Sequence, residues 1–423
     1  MQMSPKQELE RIGKRNLYIL AVVGGVISLA FGLFLPILPL YAKHLGADGL
    51  GVGILTSSFM LTRALVGPYA GKLSDMMGRK RIILFGTFLY GFLSILYVIP
   101  DTWLGLALIR AIQGVASGAV WPVSEALIID SVKPEKRARA ISIFIISSNI
   151  GWIGGPVLGG TLAQIGVSFY NMDIFESYKI PFYFTAILSF VCVGFVAFGT
   201  EDVLARENKR NGNGNNVEIP EENRRALHVL YINSFLLGLC MGLGSAVFVL
   251  YANDVFGLSA FFISIILTVG MGGGIAFAYP AAMLADRGGR KRIIVGTGFL
   301  RSGMNLLMPV APNPLAMATV MTVRSIGMQC ADAPMRSLQA DVIPQAVRGK
   351  LVGVMQSFNN VGAIAGPIIG GLLYDAVENS TYSILGVQFF AKGLPFFLSG
   401  ILGIAGVLLI WRYIDERRIK RIE

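Results

Sequence analysis

Charge is scarce in this 423-residue chain: Asp, Glu, Lys and Arg make up 14% of it, against roughly 25% in soluble domains. With 54% hydrophobic residues and a mean hydropathy of +0.64, that excludes a soluble globular enzyme. Cysteine is nearly absent. Cys192, Cys240 and Cys330 all lie in apolar runs without metal-ligand spacing, so they read as small buried residues and not as disulfides or a metal site. The two histidines, His44 and His228, fall near opposite membrane faces and cannot form a local relay. No phosphate-binding loop or ATPase-like module is present, which excludes primary pumping. Gly270, Gly272, Gly273 and Gly274 lack the strand–turn–helix setting of a dinucleotide site. No cofactor or metal is expected, and no enzymatic activity.

What remains is apolar sequence in stretches of about 20 residues, the length that crosses a bilayer as helix. Twelve are expected, at 17–40, 50–71, 81–100, 103–130, 139–165, 181–200, 228–250, 259–285, 292–311, 313–342, 350–374 and 391–412. The first follows Lys14 and Arg15 but has no small-residue cleavage site, so it is read as a helix and not as a signal peptide. The one long polar stretch carries the Asn/Gly run Asn211–Asn216 and then Glu218, Glu221 and Glu222. It reads as a flexible linker, 201–227, between an N-terminal bundle, 1–200, and a C-terminal bundle, 228–423. The fold class is therefore all-α and polytopic: twelve transmembrane helices in two pseudo-symmetric six-helix bundles. The net charge of +11 is carried in short clusters between helices. Assigning the ends, the linker and alternate loops to one side collects 28 of the 36 Lys and Arg there, which predicts cytoplasmic termini and linker in a cell membrane.

The two halves repeat each other at an offset of 211 residues. Asp75, Gly78, Arg79, Lys80 and Arg81 meet Asp286, Gly289, Arg290, Lys291 and Arg292. Gly151, Gly155, Pro156, Gly159 and Gly160 meet Gly362, Gly366, Pro367, Gly370 and Gly371. Asp130 meets Asp341 and Arg137 meets Arg348. The matched loops lie on one side, so the pseudo-twofold axis runs along the membrane normal.

Each repeated motif has mechanical work to do. In the 71–81 loop, Gly71 would let another backbone approach, Gly78 would reverse the chain, and Arg79 would bridge Asp75 to Asp130. Asp286, Gly289, Arg290 and Asp341 would do the same in the second half. These are read as two cytoplasmic clasps that break during transport; alternatively they fix only topology and helix ends. Gly151-x-x-x-Gly155-Pro156-x-x-Gly159, and its copy Gly362, Gly366, Pro367 and Gly370, give a smooth face beside a proline bend. Such a face suits close packing, with or without rocking.

Ionisable residues within the apolar segments are functional hypotheses by default. Arg110 and Gln113 share a face of the fourth helix, with Glu125 about 22 Å further along. The tenth helix carries Arg324, then Asp332 and Arg336, which are spaced to pair. Arg110, Glu125, Asp332 and Arg336 are the proton-coupling candidates; Arg63 and Arg301 complete the set. The helices expected to line a cavity offer Phe34, Gln113, Trp121, Asn233, Met241 and Met328, which could equally be packing residues.

The 71–81 loop, its copy at 286–292, the Arg110–Gly114 stretch and the two-times-six plan resemble the major facilitator superfamily over nearly the whole chain. Gly151–Gly160, Pro36 and Pro39 look like the twelve-helix drug–proton antiporters. The resemblance implies alternating access by rocking halves, proton entry driving export, Asp75 and Arg79 in the cytoplasmic gate, and Arg110 near coupling or the cavity. The sequence departs from the subgroup in three ways. The first helix lacks an acid, the glycine–proline motif is duplicated, and Ala282 replaces the first glycine of the second loop motif. The expected function is proton-coupled export of small hydrophobic or amphipathic compounds, by a carrier working as a monomer in the bilayer without nucleic-acid partners. A metabolite importer working by symport or uniport is the alternative, and a non-transporting receptor or scaffold the third class.

Overall fold

The computed structural model describes residues 5–202, 221–344, 347–378, 380–384 and 386–414. Most of the expected linker, 203–220, lies outside them. The helices are α1 (Pro5–His44), α2 (Gly49–Met77), α3 (Arg79–Leu96), α4 (Trp103–Ser131), α5 (Arg137–Tyr170), α6 (Ile174–Ser177) and α7 (Lys179–Gly199). Beyond residue 220 come α8 (Glu221–Ser245), which takes in residues 221–227 of the expected linker as helix, α9 (Phe248–Phe256), α10 (Ala260–Gly288), α11 (Arg290–Leu307), α12 (Pro314–Val342), α13 (Arg348–Asp375) and α14 (Leu394–Tyr413). With α6 a single turn and α8–α9 one interrupted crossing, these make twelve spans. Nine of them are long and apolar enough to qualify alone among the described residues. The other three are α3, with its basic start, and the charge- and glycine-bearing α12 and α13.

The elements begin and end where the backbone groups find partners. Asp48 caps α2 by accepting from the Gly51 amide at 2.7 Å. Asn313 caps α12 by accepting from Ala316 N at 2.8 Å, with Pro314 in the first turn. Gly78 and Gly289 take φ of +94° and +95°, which L side chains rarely adopt, and so break α2 from α3 and α10 from α11 within one residue. One expectation shifts here, and one element appears that no expectation covered. α2 runs to Met77, so Asp75 sits in a helical last turn and not in a loop. The segment before α14 is not featureless: β1 (Thr381–Ile384) and β2 (Val387–Phe390) form an antiparallel hairpin, Thr381 opposite Phe390 and Ile384 opposite Val387.

Two compact units follow. One holds α1, α3–α7 and α2 from Ser58 onward, together with Ala260–Ile265 of α10; the other holds α8, α9, α11–α14 and the rest of α10, together with Asp48 and the start of α2 as far as Ser57. The first is built around Leu20, Ile83, Val123, Leu127 and Val196, all fully buried or nearly so. The second is built around Leu230, Leu338, Val342, Met355 and Ile410.

The long seams inside each unit depend on missing side chains. On α5, a Cβ at Gly155 would stand 2.6 Å from both Gly32 Cα and Leu29 O of α1, and one at Gly159 would stand 2.5 Å from Leu33 O. On α13, a Cβ at Gly366 would lie 2.8 Å from Gly242 Cα of α8. Gly151, Gly362 and Gly370 press on backbone of the same partner helices. The glycine–proline motif is thus first a contact surface for α1 in one unit and α8 in the other. Gly71, by contrast, has open space where its side chain would be, so it supports no close approach.

Candidate functional site

The loop motif of the first unit forms a compact charge cluster. Arg79 Nη2 lies 2.8 Å from Asp130 Oδ2, with the two side chains 16% and 19% exposed, and 3.5 Å from Asp75, which is 66% exposed. The Asp130 approach lacks hydrogen-bond alignment, so this pair is held by Coulomb attraction alone. Asp202, at the start of the expected linker, accepts from the Lys80 amide at 2.8 Å, and Lys80 Nζ donates to Ala197 O and Thr200 O. Arg137 Nε donates to Ile129 O at 3.3 Å.

The second unit repeats the plan less one ion pair. Arg290 pairs with Asp341 and donates to Ser337 O at 3.3 Å, and Arg348 donates to Ala340 O, the counterpart of Ile129. Asp286 makes no ion pair among the described residues. The bridge expected to join three residues there joins two.

Arg110 of α4 is 6% exposed and lies among aromatic faces: Phe59 at 4.3 Å, Phe31 at 5.0 Å and Phe34 at 5.9 Å. Its Nη1 donates to Gln113 Oε1 at 2.8 Å, and the Tyr97 hydroxyl donates to the same oxygen at 2.9 Å. A buried cation without a carboxylate is here held by ring quadrupoles and one amide oxygen. Phe31, Phe59 and Tyr97 were not foreseen as partners. The presence of phenylalanines on α1 and α2 near the depth of an intramembrane arginine was the available signal.

A cavity of about 430 Å³ opens in the second unit, within the range of small-molecule sites. The α11 face Ile294, Gly298, Arg301 and Asn305 and the α12 face Arg324, Met328, Asp332, Met335 and Arg336 line it, with Asn233, Cys240 and Met241 from α8. Asn233, Met241 and Met328 are therefore at the cavity. Phe34, Gln113 and Trp121 are not: Phe34 and Gln113 belong to the closed Arg110 cluster, and Trp121 packs edge-on against Phe144 at 5.4 Å. Asp332 and Arg336 are both exposed to the cavity and do not form the ion pair their spacing suggested; no salt bridge joins them within 4 Å. Glu125, half-buried on α4, likewise makes no ion pair among the described residues.

Near the hairpin, Tyr251 donates to Met308 O at 3.0 Å, Tyr374 to Asp254 at 2.7 Å, and Lys392 to Tyr374 O at 3.0 Å. Within the second unit, Asp375 at the end of α13 accepts from the Gly49 and Leu50 amides at 2.8 and 2.7 Å. Tyr41 stacks on Phe175 at 4.9 Å. Among the described residues no group of three His, Cys, Asp or Glu side chains could hold a metal ion.

Twelve apolar spans in two homologous halves, with charged motifs at helix junctions and a largely apolar cavity carrying a few charged groups, define a polytopic membrane transporter of small molecules. The chain belongs to the Major Facilitator Superfamily, whose profile matches residues 20–260 and 230–423. It is 27% identical over 373 residues to the quinolone resistance protein NorA of Staphylococcus aureus (strain MSSA476), covering 86% of this chain and 91% of that protein. It is 25% identical over 407 residues to an uncharacterized MFS-type transporter of Methanocaldococcus jannaschii, covering 94% and 99%. Among solved structures, a mutant of the nucleoside transporter NupG superposes with a TM-score of 0.76 at 15% identity, over 95% of this chain and all of that one. A bacterial homologue of the lysosomal transporter Spinster superposes at 0.71 and 14%, covering 97% and 96%. These two likenesses describe the fold.

Proposed function

We propose that the protein exports small hydrophobic or amphipathic compounds in exchange for protons, by alternating access, and works as a monomer in the cell membrane with its termini and linker in the cytoplasm. The observation that carries the coupling is Asp332: a carboxylate exposed to the cavity, on the same helix face as Arg324 and Arg336, and without an ion-pair partner among the described residues. An acid so placed can load a proton when the cavity meets the outside and release it inside. Each event changes its attraction for Arg336 and Arg301 and shifts the balance between the two open states. Glu125 is the second coupling candidate. The similarity to a quinolone resistance protein supports export, and the Met-rich lining supports adaptable contact with apolar bodies. The Arg79–Asp130 and Arg290–Asp341 pairs act as the cytoplasmic clasps, and Arg110 stiffens the core of the first unit.

Inside-out vesicles under an imposed proton gradient test this reading. Export coupled to protons gives uphill uptake of a dye substrate into the lumen with proton release from it, and Asp332→Asn abolishes the proton dependence. Proton-independent equilibration would sink antiport and leave the importer or uniporter reading; binding without flux would leave only a receptor.

A further inference from the structure

We infer that the cavity of the second unit holds a carboxylate or sulfonate group of an anionic amphipathic compound between Arg301 and Arg324, with the apolar body against the methionines. This deepens the reading of that cavity as the transport site and rests on it.

The charges lining the cavity do not balance. Arg301, Arg324 and Arg336 face a single carboxylate, Asp332, and no ion pair joins any of the four within 4 Å. Asp332 lies eight residues beyond Arg324, about 12 Å along α12, and Arg336 one turn further. Along α12 the carboxylate is nearer Arg336 than Arg324, and its one negative charge cannot balance three guanidiniums, so the wall around Arg324 keeps a net positive charge. Arg324 is only 9% exposed, its Nε has no hydrogen-bond partner, and Nη1 reaches only the Met321 thioether at 3.3 Å, a weak acceptor. Guanidinium stays protonated in any protein setting, so the cationic wall cannot relieve itself by losing a proton. An oxyanion with two oxygens matches the planar fork, and the low-dielectric wall strengthens the contact. The same chemistry could arrive on a lipid headgroup, which the test separates.

The full-length protein, purified in neutral detergent, is titrated with 8-anilinonaphthalene-1-sulfonate and with N-phenyl-1-naphthylamine, which has the same aromatic body without the sulfonate. The sulfonate probe is expected to bind at least tenfold tighter, about 1.4 kcal/mol. Arg301→Gln and Arg324→Gln each remove most of that preference and change the neutral probe less than twofold, and Arg324→Lys retains part of it. Asp332→Asn, which lifts a like charge, tightens the sulfonate probe about threefold, a gain that a misfolded variant cannot produce. Equal affinity for the two probes, equal loss of both in Arg324→Gln, or weaker sulfonate binding in Asp332→Asn would overturn the inference. In nanodiscs, phosphatidylglycerol that displaces the sulfonate probe where phosphatidylcholine does not would assign the site to lipid and overturn its assignment to a transported acid. Binding at equilibrium uses no gradient, so its failure leaves proton antiport standing, and uncoupled flux in vesicles leaves this site standing.

Discussion

Gly154 and Gly155 are neighbours on α5 with opposite expectations. A Cβ at Gly155 would stand 2.6 Å from Gly32 Cα and from Leu29 O, whereas at Gly154 nothing lies within 4 Å. Ordinary contact with backbone begins near 3.4 Å, so Gly155→Ala must push α1 and α5 apart by close to 1 Å or bend one of them. Overpacking of that kind costs about 1–3 kcal/mol. Gly154→Ala meets no neighbour and exchanges glycine for a better helix former, a gain of up to about 1 kcal/mol in a helix interior. The protein already holds the matching experiment: the counterpart of Gly154 in the second half is Ala365, while the counterpart of Gly155 remains Gly366, 2.8 Å from Gly242 Cα. Detergent-solubilised variants would be titrated with dodecyl sulfate and followed by tryptophan fluorescence. Gly155→Ala and Gly366→Ala should unfold earlier than wild type, and Gly154→Ala at the same point or later. Equal destabilisation by Gly154→Ala and Gly155→Ala would refute the claim that the motif exists for the α1 seam.

The clasps make a ranked prediction: Asp130→Asn should alter the rate of substrate counterflow severalfold more than Asp75→Asn, because the Arg79–Asp130 pair is closer and mostly buried while an exposed i,i+4 pair is worth under about 0.5 kcal/mol. Flux measured across pH in Asp332→Asn and Glu125→Gln should lose its proton dependence in the first and keep it in the second; flat profiles in neither would end the coupling assignment. Asp375→Ala removes the acceptor shared by the Gly49 and Leu50 amides, a loss of about 1 kcal/mol at a helix start, so hydrogen exchange in the first turn of α2 should speed up roughly fivefold.

Much of the fold was legible because the bilayer leaves few choices: apolar length sets the spans, and the 211-residue repeat sets the two halves. Positive φ at both Gly78 and Gly289 follows from the same repeat. What the sequence hid were contacts that no local spacing encodes. Asp332 and Arg336 stand one turn apart and both line the cavity, yet no ion pair joins them within 4 Å. Asp286 sits in the repeated motif, but Arg290 turns to Asp341 and Ser337 O instead. Gln113 and Phe34 had the composition of a binding wall, and the packing of Tyr97 and Phe182 around them closes it into core. The hairpin at 381–390 was lost between two strong hydrophobic signals.

Gly160 and Gly371, twins in the repeat, turn away from the α1 and α8 seams: a Cβ at Gly160 would meet Ala260 O and Ser264 at the start of α10, and one at Gly371 would meet Gly49 and Leu50 at the start of α2. Each repeat therefore supplies the groove into which the opening turn of a helix from the other repeat is laid. The duplicated copies cannot drift as independent sequences: a methyl acquired at position 371 has to be answered at 49 or 50, more than three hundred residues away and in the other copy.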